Sequence, residues 1–160
     1  NSEWAIVFLK IAGTEPEKGI CGYSQFTIGY SPLLLLHEIG FDAKRAFHNG
    51  TGLGHYSRTL IRSLSVYHPE HQYYLFNPKP STDFELKGNN LHEILPAGLL
   101  NTLFRSAWRS SWVKKDLQRL RIDLYHGLSH EIPVGIRKSG IKSVVTIHDL
   151  IHERYPEQYN

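Results

Sequence analysis

Methionine is absent from this sequence, even at its first position, and cysteine occurs once, at Cys21. A lone cysteine excludes an intramolecular disulfide and a cysteine-built metal cluster, and it is the usage of a reducing compartment. The missing initiator is expected of an internal piece of a longer protein, of a mis-started reading or of a processed product; the first is favoured. Long apolar runs are lacking too: the stretch from Leu33 to Leu36 falls far short of the about 20 residues that span a membrane. The start does not read as a secretory signal, because Glu3 and Lys10 flank a brief apolar stretch with no small-residue cleavage site after it. Charge of one sign is scarce, since 18 Lys and Arg against 15 Asp and Glu leave +3, too little to argue for nucleic acid. What is present is the apolar and charged content of a soluble globular protein. Its 160 residues suffice for one domain with a single core.

Residues 1–38 do not join the pattern that follows. Trp4–Leu9 has the composition of a strand, but Thr14–Ser31 is rich in glycine and polar residues without a period, and Ser31-Pro32 reads as a break. This segment is expected to be a poorly patterned extension, not native to the domain of residues 39–160. From Ile39 onward the order is regular. Ile39–Ala43 alternates as a strand does. Leu53, Tyr56, Leu60, Ile61, Leu64 and Tyr67 form a helical stripe that His68-Pro69 ends, with Arg58 and Arg62 off it. Gln72–Phe76 and Leu91–Leu95 read as strands. Leu99 to Arg121 reads as a long helical stretch, bent at Ser110-Ser111. Asp123–His126 and Ser143–Ile147 complete the strands, the last a β-branched run of the kind buried in parallel sheets. Strands alternating with helices predict an α/β fold, a Rossmann-like parallel sheet with helices on both faces. Ligands in such sheets bind beyond the carboxyl ends of the strands.

Three segments fall at such ends. The first holds Gly50, Gly52 and Gly54, which open the helix, where unpaired amides and the helix dipole favour an anion. It matches a dinucleotide fingerprint poorly: six residues, Lys44 to Asn49, precede the first glycine, and Asn77 stands where an acid would hold the ribose. The second is His126–His130 and the third is His148-Asp149. Metal spacing in His126-x3-His130 and His148-x3-His152 would put each pair on one face only of a helix, and these segments read as strand ends, so no metal is expected. Histidines there suit hydrogen bonding to a polar ligand, His148 to a substrate hydroxyl. Separately, the stretch from Leu99 to Arg121 carries six basic residues against one acid, Asp116. With Trp108 and Trp112 it makes a basic amphipathic segment, in which Arg105, Arg109, Lys114 and Lys115 are candidates for an anionic membrane surface. An ordinary sheet-covering helix with a solvated basic face is the favoured alternative.

The segments IGFDAKRAFHNGTGLGHYSRTLIRSL, DLYHGLSHEIP and VVTIHDLIHERYPEQY together resemble the N-terminal domain of retaining GT-B glycosyltransferases of family 4, the mannosyltransferase-like group. The resemblance covers Ile39 to Asn160, and a family member would begin near Glu38 or Ile39. It implies transfer of a hexosyl unit from a nucleotide-diphosphate sugar to a glycan or lipid-linked hydroxyl acceptor, with retention and without a metal or further cofactor. By resemblance, Gly52 and Gly54 lie near the donor diphosphate and the acceptor. His148 contacts the transferred sugar, Asp149 supports its loop, and His126 and Ser129 line the acceptor side. The family's second domain grips the nucleotide and carries a paired-glutamate motif, E-x7-E. Glu85 and Glu93 share that spacing only by chance, since Glu85 precedes a strand without nucleotide-binding surroundings. The chain alone is therefore expected to be inactive, with most donor affinity in the missing domain. The cytoplasm is the expected location, with the inner face of a membrane as a candidate site. Two other readings stay open: a non-catalytic module that binds an anionic membrane or partner through residues 99–121, and a nicotinamide-binding Rossmann domain.

Overall fold

A computed structural model describes residues 36–149. The strand expected at Trp4–Leu9, and His152 of the second histidine pair, lie outside the described residues. In chain order the elements are β1 (Glu38–Asp42), α1 (Lys44–His48), α2 (Gly52–Tyr67), β2 (Gln72–Phe76) and β3 (Leu91–Ile94). Then come α3 (Leu99–Leu103), α4 (Arg105–Ala107), a π-helical turn (Trp108–Trp112), α5 (Val113–Arg119), β4 (Leu124–Gly127), a 3-10 turn (Ile136–Ser139) and β5 (Lys142–Val145). The strands form one five-stranded sheet in the order β3-β2-β1-β4-β5, every pair parallel. This is the expected α/β, Rossmann-like architecture. Chain order reverses between β1 and β4, the switch point at which the carboxyl ends of such sheets leave a crevice.

Side-chain alternation along the strands builds two cores. Phe41, Tyr73 and Leu75 face α1 and α2, packing with Ala46, Phe47 and Ile61. Phe76 and Tyr125 face the other way, under Trp108, Val113 and Leu117. Helices therefore cover both faces. Trp108, one of the two tryptophans of the basic segment, is fully buried, as in a sheet-covering helix, and donates its Nε1–H to Asp116 at 2.8 Å.

Three elements differ from the sequence reading, each for a physical reason. The six residues before the glycines, given no element in the sequence pattern, hold one, because Lys44–His48 forms α1. Its free terminal carbonyls need donors. Arg58 supplies them, with Nη1 bonded to Ala46 O at 3.0 Å and to Asn49 O at 2.8 Å. That draws Arg58, which lies off the apolar stripe, into the interior, with its guanidinium 3.7 Å above the Phe84 ring. The apolar stripe of α2 ends at Leu64, and Tyr67 is exposed. Finally, the stretch from Leu99 is not one helix. It breaks at Phe104 and passes into the π turn at Trp108–Trp112, which contains Ser110-Ser111. The Ser110 carbonyl accepts the Val134 amide at 2.7 Å.

Candidate functional site

At the carboxyl edge, Thr146 lies one residue beyond β5, which stops at Val145, short of the expected Ile147. Thr146 is fully buried and joins three segments. Its amide donates to Gly127 O at 2.9 Å, and its carbonyl accepts the His130 amide at 3.0 Å. Its hydroxyl meets His126 Nε2 at 2.8 Å and Tyr56 Oη, from α2, at 3.3 Å. Gly127 allows this closure, because a Cβ there would stand 2.0 Å from Glu131 O. The ends of β4 and β5 and the first turns of α2 thus meet around one threonine. Sequence reading missed it as one more β-branched strand residue. The signal was a hydroxyl at the end of an apolar run.

Two histidines are held in place here. Burial pushes His126 down to about 4, so its ring is neutral near pH 7. His148 Nε2 lies 2.8 Å from Leu128 O, which can only accept, so Nε2 carries a proton and donates it there. The His148 amide donates to His130 Nε2 at 3.0 Å, and His130 holds a left-handed φ of 60°. The Tyr56 ring stands edge-on to His148, with centroids 5.0 Å apart. Ser129 is buried in the same turn, and Asp149 is exposed beyond His148.

The two helix glycines separate. A Cβ on Gly54 would fall 1.8 Å from Asn49 O, so this glycine lets α1 and α2 meet at their corner. A Cβ on Gly52 would meet nothing within 4 Å. Gly52 lines an open groove of about 500 Å³ with His55, Tyr56, Thr59, Leu60 and Ser63. Part of the helix start is already satisfied, since Asn49 Oδ1 accepts from the Thr51 amide at 2.8 Å and the Gly54 amide at 3.3 Å.

Sequence reading also missed an ion-pair group at the switch point. Asp42, at the end of β1, is 5% exposed and needs a partner. Arg109 provides it, from Nε at 2.9 and 3.1 Å and from Nη2 at 2.8 Å, while Nη2 also reaches Glu131 at 2.6 Å. Burial works to lower the Arg109 pKa, but the Asp42 hydrogen bonds and the Asp42 and Glu131 charges outweigh it and hold it up. Arg109 is therefore not on a solvated basic face, because the buried Asp42 claims it. Lys114 is tied to Val134 O at 2.7 Å, which leaves Arg105 and Lys115 as the exposed cations of the four candidates. Asp42, Arg109, Tyr125, His130 and Glu131 line a cavity of about 340 Å³ that adjoins the histidines. Burial and the Asp42 charge raise Tyr125 well above the usual tyrosine range.

Among the described residues, no group of three or more His, Cys, Asp or Glu side chains is placed to hold a metal ion. None of their helices is long and apolar enough to cross a membrane. Asn77, where a ribose-binding acid would stand, donates to Glu93 at 2.7 Å, and its Oδ1 lies 2.8 Å from His48 Nε2. No protein-family model, no curated protein and no solved structure matches the chain.

Proposed function

We propose that this chain is the acceptor-side domain of a retaining glycosyltransferase, which moves a hexosyl unit from a nucleotide-diphosphate sugar to a hydroxyl acceptor. One observation carries the reading: Tyr56, His126, Thr146 and His148 converge at the carboxyl ends of β4 and β5, beside the switch point of a parallel sheet. Sugar recognition calls for neutral, oriented hydrogen-bonding groups beside an aromatic ring. His148 fits, with Nε2–H spent on Leu128 O and its ring fixed edge-on to Tyr56. Such fixed groups cost no reorganisation when charge develops at the anomeric carbon. Donor grip and the leaving diphosphate fall mainly to a second domain, so the chain by itself binds acceptor without transferring sugar. The test is a panel of nucleotide-diphosphate hexoses given to the full-length protein. A product of retained anomeric configuration, lost in His148→Ala, supports the reading; transfer by the 160-residue chain alone contradicts the division of labour.

A second reading has its own observation. Helix α3 buries none of its residues, and Leu99, Leu100, Leu103 and Phe104 are 75, 64, 66 and 55% exposed. Arg105 and Lys115 are exposed nearby. An apolar ridge beside cations suits an anionic membrane surface, and this role is compatible with sugar transfer. In liposome sedimentation, binding that needs anionic lipid and is lost in Leu103→Ser or Arg105→Glu supports it.

A further inference from the structure

A second cleft opens on the far side of Arg109, where β1 and β2 end. Lys44 follows β1 by two residues and Lys79 follows β2 by three. Together with His48, Arg105, Ser106 and Arg109 they line about 230 Å³. Among the described residues no carboxylate lines this cleft, and none forms an ion pair with Lys44, Lys79 or Arg105. Its floor is fixed. The His48 ring bridges Asn77 Oδ1 at 2.8 Å and Lys79 O at 3.1 Å, and Asn77 Oδ1 accepts the Lys79 amide at 3.4 Å. The turn that carries Lys79 is thereby pinned to α1, which carries Lys44. Arg109 is spent on Asp42 and Glu131, so the unbalanced charge belongs to Lys44, Lys79 and Arg105.

Three cations that pair with no carboxylate among the described residues, set around a fixed pocket, are poised for an anion of more than one charge. The volume lies below the about 300–1,000 Å³ of sites that hold a whole drug-sized ligand, so it suits a single group. We infer that this cleft binds a phosphate monoester, and that the acceptor carries it. Arg109 lines both this cleft and the cavity beside His130, so the two are neighbours across one side chain and one acceptor could reach from the cleft towards the histidines. The acceptor part of this inference rests on the glycosyltransferase reading; the anion site does not.

The phosphate could belong to a soluble sugar phosphate or to a lipid headgroup, and two arms separate these sources. The first titrates the chain calorimetrically with a hexose phosphate monoester, the unphosphorylated hexose and inorganic phosphate. The second measures sedimentation with phosphatidylcholine vesicles with and without phosphatidic acid. Lys79→Ala and Arg105→Ala alter exposed side chains and leave both cores intact, and Lys138→Ala serves as a distant charge control. Saturable binding of the phosphate monoester in either arm, weakened about tenfold or more by each cleft substitution and unchanged by Lys138→Ala, supports the site. The responding arm names the source. Absence of saturable binding in both arms, or equal losses in all three variants, overturns it. Phosphate binding in a full-length protein that transfers no sugar would remove the glycosyltransferase reading and leave the site. Transfer to neutral acceptors with no phosphate binding would overturn the site alone.

Discussion

Arg109 clasps Asp42 with both Nε and Nη2, joining the π turn to the end of β1 across 67 residues of sequence. Asp42 is 5% and Arg109 16% exposed, so removing either partner strands a charge in a poorly solvated place. Such truncations typically cost about 3–5 kcal/mol. Arg109→Ala is expected to lower the urea midpoint, with the free energy of unfolding reduced by an amount in that range. Glu131, whose side chain is 63% exposed, can find water, and Glu131→Gln should shift the midpoint little.

His126 gives stability a pH dependence of known sign. Its folded pKa is depressed to about 4 by burial, against 6.5 in the unfolded chain. The unfolded state therefore binds more protons between these values. The contribution is fully present above 6.5, declines as pH falls, and is lost by about 4. Its ring resonances should stay in the neutral form through this window. His126→Gln should flatten the fall in urea midpoint relative to the parent chain over the same range. A ring that titrates near 6.5 would contradict the burial argument.

The two glycines of α2 should part in thermal unfolding. Gly54→Ala drives a methyl into Asn49 O and forces α1 and α2 apart, a strain of about 1–3 kcal/mol or more. Gly52→Ala has open space around its Cβ, and the fewer unfolded conformations should leave stability unchanged or raised by about 0.4–1 kcal/mol. Equal losses at both positions would contradict the packing role given to Gly54.

The sheet was legible because its signals are local. Apolar runs such as Gln72–Phe76 and the stripe Tyr56, Leu60, Ile61 and Leu64 report their own burial, and each strand was placed to within a few residues. Two of the three segments placed at strand ends, around His126 and His148, meet, and α2 joins them through Tyr56. What escaped were features that depend on a distant partner. A basic residue on a helix looks solvated until a buried acid claims it, as Asp42 claims Arg109. The off-stripe Arg58 gave no sign that α1 would end beneath it. Thr146 reads as a strand residue until β5 stops one position before it. The glycine loop gave no sign of how its members divide: Gly54 serves the corner between two helices and Gly52 faces open space.

The most direct measurement labels the histidine rings of the chain and follows them by NMR as a hexoside acceptor is added, with a nicotinamide dinucleotide as the comparison. Saturable shifts of the His148 and His126 resonances are expected with the hexoside, as is loss of hexoside binding in His148→Ala while the fold persists. Hexosides that leave both rings unmoved while the dinucleotide shifts them would contradict the glycosyltransferase reading.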